Sequence, residues 1–172
     1  IMAPMTTSDP LAASGGDGPL RSDRTTVGIA GAGQLALMLY EAALRLDVPV
    51  VVLGGADDPA VRAAPGSVVG DPADLDDLRA LAARCDVVTF DHELVPPAHL
   101  RALEAEGVVL RPSAATMEVA VDKAAQHQLF TSLGLPLPPT VLVPDAESAA
   151  RAARSLAQPV VVKTANGGYD GR

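Results

Sequence analysis

Cysteine, aromatic residues and long apolar runs are scarce in this chain. It has one cysteine, no tryptophan, two tyrosines and two phenylalanines among 172 residues. Because Cys85 has no second cysteine to pair with, the sequence favours a reducing compartment such as the cytoplasm and a packing role for this thiol. Hydrophobic residues make up 48% of the chain, but no run reaches the roughly 18–20 residues that span a membrane. We therefore expect a cytoplasmic protein with no membrane partner.

Lysine is also rare, and the chain is acidic. Of the 13 basic residues only Lys123 and Lys163 are lysine, and the formal net charge is −8. A general nucleic-acid or membrane-surface binder is excluded, because both partners require a basic face. Either codon bias explains why only two lysines remain, or their ammonium groups lie beside phosphate oxygens, where a guanidinium fits less well. The composition leaves both interpretations open.

An alternation of apolar strands and helices begins at Thr26. Residues 1–25 mix Ser, Gly, Asp, Pro and Ala without an apolar core of signal-peptide length, which predicts a disordered leader, a cloning remnant or an upstream-start artefact. Strands are predicted at 27–30, 48–53, 68–69, 87–90 and 108–110, with helices at 34–46, from 71 and at 97–106. This order predicts an α/β fold over residues 26–112, a Rossmann-like doubly wound parallel sheet.

Two of these helices carry predictions about individual side chains. The helix at 34–46 is expected to turn one apolar face to the core, formed by Leu35, Leu39, Ala42, Ala43 and Leu46. The next helix is expected to start with Asp71 as its N-cap and Pro72 at the first helical position.

The alternation of strands and helices is interrupted at Arg111-Pro112-Ser113, where we place a domain boundary. Pro112 ends the fifth strand, and Ser113 can cap a helix that is predicted to run to about residue 133. A strand at 140–143, a helix opened by Asp145 and a buried strand at 160–163 follow. Because two short strands and two helices cannot close a core, residues 113–172 are predicted to begin a second, unfinished domain.

The first glycine-rich motif, Gly31-Ala32-Gly33-Gln34-Leu35-Ala36, follows a strand and opens a helix, as a nucleotide-binding turn requires. A tight strand-to-helix turn needs glycine for structural reasons too, so both roles stay open. A nicotinamide dinucleotide site also needs an acid at the end of the second strand. The sequence has Leu53-Gly54-Gly55 there and reaches Asp57 only later, which disfavours the dinucleotide interpretation.

Asp91-His92-Glu93 comes directly after the fourth strand, at the edge where open α/β sheets bind ligands. A carboxylate there could accept hydrogen bonds from ribose hydroxyls or an amine, and the alternative is an acidic surface loop. His99 and His127 have no partner at metal-ligand spacing, so we predict surface or packing roles for both.

The last predicted strand delivers Lys163 to a second glycine-rich motif, Gly167-Gly168-Tyr169-Asp170-Gly171-Arg172. Its glycines let the backbone approach phosphate oxygens closely, and the adjacent basic residues supply positive charge. A flexible hairpin tip is the alternative, but the basic residues favour phosphate binding.

Six motifs occur in a definite order. They are Gly-Ala-Gly-Gln-Leu at 31–35, Thr-Phe-Asp-His-Glu at 89–93, Arg-Pro-Ser at 111–113, Asp-Lys at 122–123, Val-Val-Lys at 161–163 and Gly-Gly-Tyr-Asp-Gly-Arg at 167–172. From Thr26 onward the chain thereby resembles the 5-(carboxyamino)imidazole ribonucleotide synthases, ATP-grasp ligases of purine biosynthesis. The last motif is the specific one, because other ATP-grasp enzymes build this loop from different residues.

The resemblance implies a pre-ATP-grasp domain at 26–112 and the start of an ATP-grasp domain at 113–172. It assigns ATP binding to Lys123, Lys163, Gly168, Tyr169, Asp170, Gly171 and Arg172. It assigns the imidazole ribonucleotide to Gly33, Gln34, Leu35 and Glu93. It implies no catalytic residue within this chain.

The implied reaction uses Mg²⁺ and ATP to phosphorylate bicarbonate, then transfers the carboxyl group of carboxyphosphate to the exocyclic amine of aminoimidazole ribonucleotide. Such catalysis depends on positioning and charge stabilisation more than on an acid–base pair. The family also implies a cytoplasmic homodimer. Because the magnesium ligands are expected beyond Arg172, we expect the chain as given to be inactive alone.

Three positions depart from the family pattern. Leu37 and Ala165-Asn166 stand where basic residues are frequent, and Asp91 stands where Glu is commoner. Three alternatives stay open: a formate-dependent glycinamide ribonucleotide transformylase, which Tyr169-Asp170 disfavours, a nicotinamide-dinucleotide-binding module, and a truncated or split gene product that serves as an interaction surface.

Overall fold

Four short parallel strands form the centre of the predicted domain at 26–112, the first unit; the residues from 113 onward are the second unit. The computed structural model describes residues 24–156 and 159–167. The strands are β1 (Val27–Ala30), β2 (Val50–Gly54), β3 (Val68–Val69) and β4 (Val87–Phe90), in the spatial order β3-β2-β1-β4. Every neighbouring pair is parallel, and Val27 lies between Val50 and Val87. The predicted α/β fold with a parallel sheet is confirmed.

Seven helices accompany these strands within the described residues. They are α1 (Gln34–Arg45), α2 (Pro59–Ala63), α3 (Leu75–Ala82), α4 (Pro97–Ala105), α5 (Ala114–Val121), α6 (Lys123–Ser132) and α7 (Ala146–Leu156). Helices α1 and α2 pack on one face of the sheet, and α3, α4 and α5 pack on the other. The predicted leader, apart from Arg24 and Thr25, lies outside the described residues.

Successive strand residues supply two separate cores. Ile29 and Val52 pack with alanines of α1 and α2, whereas Ala30 and Leu53 pack with leucines of α3 and α4. This alternation follows from the two-residue period of a strand. Because both faces are covered, the strands contain no polar residue except Thr89, as is typical of parallel sheets.

The predicted core face of α1 is wrong in part. Leu35, Leu39 and Leu46 are 49%, 44% and 74% exposed, and of the predicted set only Ala43 is half-buried. The buried contact is made by Ala36, with Leu37 and Tyr40 packed beside it. Apolar residues cover more than one face of this helix, and the small Ala36 allows the closest approach to the sheet.

The predicted cap of α3 is also wrong. The Asp74 carboxylate accepts hydrogen bonds from the N–H groups of Asp76 and Asp77, at 2.8 and 3.1 Å. Asp71 instead accepts from the N–H of Ala73, at 2.8 Å, in the turn before the helix. Asp74 immediately precedes Leu75, the first apolar residue of the helical pattern, and this position selects it as the cap.

The predicted fifth strand at 108–110 is reduced to a single parallel bridge between Val88 and Leu110. Val88 donates its N–H to Val109 and accepts from Arg111, both at 2.9 Å. A glycine turn at Gly107 precedes this segment, and Pro112, which has no N–H, follows it. Few residues between Gly107 and Pro112 are therefore left to pair with β4.

The second unit also differs from its prediction. The single helix expected from 113 to about 133 is two helices, because Asp122 has an extended backbone and caps α6 with its side chain. Ser113 and Asp145 cap α5 and α7 as predicted, accepting from Thr116 and Ser148. The N–H of Ser148 also holds the pKa of Asp145 below its usual range.

No strand forms at 140–143 or 160–163, two segments that lie within the described residues. The expected burial is wrong too, since Val161 and Val162 are 80% and 70% exposed. A strand exists only when a neighbouring segment pairs with it. Among residues 24–156 and 159–167 no segment pairs with 140–143 or 160–163.

Helix α5 packs on the core of the first unit. Ala114 and Met117 belong to the same core as Leu100, Leu103 and Leu110. The N–H of Ala114 donates to Glu104 at 3.0 Å. The domain boundary between residues 112 and 113 stays a prediction.

Cys85 packs beneath the sheet, as predicted. Its Sγ donates to the carbonyl of Leu81 at 3.3 Å, and burial raises the pKa of Cys85 to about 11. The thiol is therefore protonated at neutral pH, which excludes the thiolate that a nucleophile needs.

Replacing the cap of α3 tests the helix start. Asp74→Ala should lower the free energy of unfolding by about 1 kcal/mol, because two N–H groups lose their acceptor. Asp57→Ala, the same change at an exposed loop residue, should lower it by less than about 0.5 kcal/mol. Urea unfolding measures both variants, and equal losses would contradict the assigned cap.

Candidate functional site

The strand order creates a crevice at the carboxyl ends of β1 and β4. From β1 the chain runs outward through β2 and β3, and then returns to place β4 on the other side of β1. Connections from these two strands therefore leave in opposite directions, and open α/β sheets bind ligands at such points. Ala30 pairs with Phe90, so the next residues, Gly31 and Asp91, lie side by side.

Gly31 and Asp91 fit together so closely that position 31 has no room for a side chain. A Cβ on Gly31 would lie 1.6 Å from Oδ1 of Asp91, and Gly31 has a φ of +116°. The N–H of Gly31 is held by the carbonyl of Leu53 at 3.0 Å. Glycine is therefore required both for the backbone conformation and for the space that the carboxylate fills.

The Asp91 carboxylate is buried and incompletely hydrogen-bonded. Its side chain is 4% exposed, and its Oδ1 has no hydrogen-bond partner. Nε2 of His92 lies 3.5 Å from Oδ1, at ion-pair distance, while Nδ1 of His92 accepts from the N–H of Leu94 at 3.1 Å. Burying a carboxylate oxygen without a donor is costly, so this atom is suited to a ligand that brings one.

A cavity of about 420 Å³ opens beside this carboxylate. Leu35, Met38 and Leu39 of α1 and Asp91 line it. The exposed leucines of α1 thus form an apolar wall facing one charged group. Such a combination, mostly apolar with few polar groups, is typical of small-molecule sites.

The start of α1 adds hydrogen-bond donors at the same edge of the sheet. Gly33 is the N-cap in an extended conformation, and no side chain caps the helix. The first helical hydrogen bond runs from the N–H of Leu37 to the carbonyl of Gly33, at 3.0 Å. The N–H groups before Leu37 therefore have no partner within the helix and can bind an anion.

Three of the four predicted substrate residues lie at this crevice. Gly33 is the cap of α1, Gln34 is its first residue, and Leu35 lines the cavity. The fourth, Glu93, is half-buried two residues beyond Asp91 and is not among the residues that line the cavity. The substrate roles of all four residues stay predictions.

The resemblance assigned Glu93 to the substrate, and neither Asp91 nor Met38, which line the cavity, was among the predicted site residues. A signal for Asp91 was available in the strand register. Gly31 and Asp91 each follow a four-residue apolar strand directly, so parallel pairing in register must place them side by side.

A second set of contacts joins the start of α6 to the beginning of the second glycine-rich motif. The backbone N–H of Lys123 donates to the carbonyl of Ala165 at 2.9 Å, and Asp122 forms an antiparallel bridge with Asn166. The Lys123 ammonium donates to the carbonyl of Gly167 at 2.7 Å. Lys163, the other predicted nucleotide lysine, is exposed.

The rest of the predicted ATP loop, Gly168, Tyr169, Asp170, Gly171 and Arg172, lies outside the described residues. In the described part of the chain no group of three or more His, Cys, Asp and Glu residues could hold a metal ion. No helix there is long and apolar enough to cross a membrane.

Comparison with protein families identifies the first unit. Residues 24–121 match the model of the ribonucleotide synthetase preATP-grasp domain. The chain belongs to this family. The match ends at the last residue of α5, the helix that packs on the core of the first unit.

The chain is also similar to proteins named N5-carboxyaminoimidazole ribonucleotide synthase. N5-carboxyaminoimidazole ribonucleotide synthase of Mycobacterium tuberculosis is 40% identical over 147 residues, which cover 85% of this chain and 34% of that protein. The resemblance deduced from the six motifs is confirmed. The chain spans about a third of the length of the curated relatives it matches, between 34% and 37% for those of M. tuberculosis and Synechococcus elongatus.

Solved structures show the same architecture. The crystal structure of N5-carboxyaminoimidazole synthase from Aspergillus clavatus in complex with ADP and 5-aminoimidazole ribonucleotide superposes with a TM-score of 0.71 at 30% identity, covering 80% of this chain and 37% of that one. Glycinamide-RNase-transformylase T from M. tuberculosis superposes with a TM-score of 0.64 at 27% identity, covering 74% and 38%.

The two glycines of the first motif provide a matched test of the crevice. Gly31→Ala should lower the free energy of unfolding by about 1–3 kcal/mol or more, since the new Cβ meets Asp91 at a positive φ. Gly33→Ala should cost less than about 1 kcal/mol, because that Cβ would lie 3.7 Å from Asp91 and φ is −72°.

Thermal or urea unfolding of both variants measures the difference. Adding Asp91→Ala to Gly31→Ala should recover part of the loss, because the clash disappears while the backbone strain remains. Equal stabilities of the Gly31→Ala and Gly33→Ala variants would rule out the close contact.

Proposed function

We propose that the protein carries out the ATP-dependent carboxylation of 5-aminoimidazole ribonucleotide with bicarbonate, giving 5-(carboxyamino)imidazole ribonucleotide in de novo purine biosynthesis. Similarity to N5-carboxyaminoimidazole ribonucleotide synthase over 85% of the chain carries this proposal. The structural likeness to a synthase in complex with ADP and the same ribonucleotide supports it. The chain would contribute the preATP-grasp domain and the first part of the nucleotide cleft.

The crevice between β1 and β4 would hold the imidazole ribonucleotide. Oδ1 of Asp91 is a buried acceptor that has no hydrogen-bond partner and lies 3.5 Å from Nε2 of His92, which suits the exocyclic amine that receives the carboxyl group. The N–H groups at the start of α1 suit an anionic group of the same ligand. Gly33, Gln34 and Leu35 would then contact substrate as the resemblance implies, with Asp91 taking the role first given to Glu93.

Lys123, Lys163 and the second glycine-rich motif would bind ATP. In the implied chemistry, bicarbonate attacks the γ-phosphate to give carboxyphosphate and ADP, and the amine then attacks the carboxyl carbon and releases phosphate. The ammonium groups would stabilise negative charge on the transferring phosphoryl group. The described residues offer no cluster for Mg²⁺, so no role of the ion is assigned to them.

The proposal includes a cytoplasmic homodimer, as the family implies. The single cysteine suits a reducing compartment. Sedimentation analysis of the full-length gene product should give twice the chain mass, and a monomer at micromolar concentration would remove this part of the proposal.

Two other functions are candidates, and the substrate dependence of ADP release and binding calorimetry separate them from the first. Structural likeness to glycinamide-RNase-transformylase T favours a formate-dependent glycinamide ribonucleotide transformylase as the second candidate. A nicotinamide dinucleotide module has less support, because the Asp58 carboxylate near the end of β2 already accepts the N–H of Gly55 at 2.7 Å.

Substrate dependence of ADP release tests the function directly. With the full-length gene product, ADP should form only when bicarbonate and aminoimidazole ribonucleotide are both present. Release that requires formate and glycinamide ribonucleotide would establish the second candidate. ADP release that does not depend on any of these substrates would exclude both ligases. Heat of binding, measured by calorimetry with the dinucleotide, would favour the nicotinamide-dinucleotide-binding module.

The role of Asp91 gives a sharper prediction. Asp91→Asn should raise the KM for aminoimidazole ribonucleotide about tenfold or more and leave the KM for ATP unchanged, because a charged acceptor of the amine is lost. Asp57→Asn, the same change at an exposed acid, should leave both constants unchanged. Steady-state kinetics decides, and an unchanged ribonucleotide KM in Asp91→Asn contradicts the assignment.

A further inference from the structure

His92 lies beside the buried carboxylate of the crevice and has no part in the proposed contacts with ATP or the ribonucleotide. It follows Asp91 directly in sequence, and its Nε2 lies 3.5 Å from Oδ1 of that residue. The His92 side chain is 30% exposed, whereas that of Asp91 is 4% exposed. Among the described residues this Oδ1 has no hydrogen-bond partner, so the ring nitrogen lies within electrostatic reach of an acceptor whose capacity is unused.

A backbone contact fixes where the His92 ring carries its proton. Nδ1 accepts a hydrogen bond from the N–H of Leu94 at 3.1 Å. A ring nitrogen that accepts this bond carries no proton of its own, so the geometry selects the neutral tautomer with the proton on Nε2. The contact also closes a short turn of the kind that asparagine and aspartate side chains form with the N–H two residues further on.

The proton on Nε2 gives the ring a donor beside Asp91. The separation of 3.5 Å is longer than the roughly 2.7–3.2 Å of a hydrogen bond. Attraction between an N–H dipole and a carboxylate charge still acts at this separation, and burial makes it stronger than in water. Because the ring is neutral, the contact is not an ion pair. It attracts the carboxylate without neutralising its charge.

Two neighbours therefore determine where the carboxylate lies. Gly31 supplies the space, since a Cβ at that position would lie 1.6 Å from Oδ1 of Asp91. His92 supplies the donor, 3.5 Å from the same oxygen. Asp91 also lines the cavity, so its position decides how the charge faces a bound ligand.

We propose that His92 is a positioning residue, which holds Oδ1 of Asp91 at the crevice through a neutral Nε2–H and leaves the charge of the carboxylate available to a ligand amine. This role rests on the proposed function, in which Asp91 accepts the exocyclic amine of the ribonucleotide. A side chain with one favoured orientation loses less conformational freedom on binding. His92 therefore acts on ribonucleotide affinity through Asp91.

Two amide substitutions separate the two sides of the ring. In His92→Asn the side-chain oxygen still accepts from Leu94, because asparagine closes the same turn, but its short NH₂ group does not reach Asp91. In His92→Gln the longer side chain brings its NH₂ group to about the place of Nε2 and keeps the donor.

Steady-state kinetics of the full-length gene product measures both variants. His92→Asn should raise the KM for aminoimidazole ribonucleotide about three- to tenfold and leave the KM for ATP unchanged, because only the held carboxylate is affected. His92→Gln should raise the ribonucleotide KM less than about twofold. Equal rises in the two variants, or no rise in His92→Asn, would overturn the proposal.

A double variant tests whether His92 acts through Asp91. In an Asp91→Asn background, His92→Asn should cause no further rise in the ribonucleotide KM, because the charge that the ring positions is already lost. If the two effects multiply instead, His92 contacts the ligand itself and the positioning role is wrong.

Nitrogen NMR tests the contact without any substrate. The His92 signals of the full-length gene product are those that His92→Gln removes, and their ¹⁵N shifts should show a proton on Nε2 and none on Nδ1. Asp91→Asn should move the Nε2 shift, whereas Asp57→Asn, the same change at an exposed acid, should not. A proton on Nδ1, or an Nε2 shift that is the same in Asp91→Asn, contradicts the proposal.

The two measurements keep the contact and the function apart. If ADP release does not depend on the ribonucleotide, the proposed function fails, and the nitrogen shifts still decide whether His92 acts on Asp91. If the shifts contradict the contact, the proposal about His92 fails, and the assay of ADP release still decides the function.

Discussion

The contact between Gly31 and Asp91 is the constraint on which the candidate substrate site depends. Parallel pairing of β1 with β4 brings the two residues side by side, and the absence of a side chain at Gly31 leaves the space that the carboxylate occupies. The strand order separates the connections that follow β1 and β4, which opens the crevice around this carboxylate. A side chain at position 31 would displace the Asp91 carboxylate.

The two units of the chain differ in how completely their apolar residues are covered. The first unit has a core on each face of its sheet, and Leu53, Leu78 and Leu100 are fully buried. Helices α6 and α7 have no buried residue. Large apolar residues of this second unit are exposed, including Leu133, Val161 and Val162. The second unit therefore depends more than the first on polar contacts, such as those of Asp122 and Lys123.

Sequence patterns predicted four of the five expected strands of the first unit, because each of the four is a short run bounded by turn residues, whereas residues 108–110 form only a single bridge. The same patterns were wrong for Val160 to Val162, since a strand depends on a pairing partner and that partner is a property of the surrounding structure. The buried face of α1 was missed because apolar residues surround most of the helix. Only contact with the sheet distinguishes Ala36 from Leu35.

The candidate site was predictable to a similar degree. The glycine-rich turn and the acidic segment after β4 were recognised from their positions, and strand register could also have placed Asp91 beside Gly31. The contact of Lys123 with Gly167 was not predictable, because it depends on the break at Asp122 that redirects the chain into α6. The sequence there resembles one continuous helix.

Whether the crevice beside Asp91 receives the amine of the ribonucleotide can be seen in a crystal structure of the full-length gene product with 5-aminoimidazole ribonucleotide. We expect the exocyclic nitrogen within about 3.2 Å of an Asp91 carboxylate oxygen, with the ring beside Leu35. A ribonucleotide bound with its amine elsewhere, and with Asp91 Oδ1 still without a donor, would contradict it.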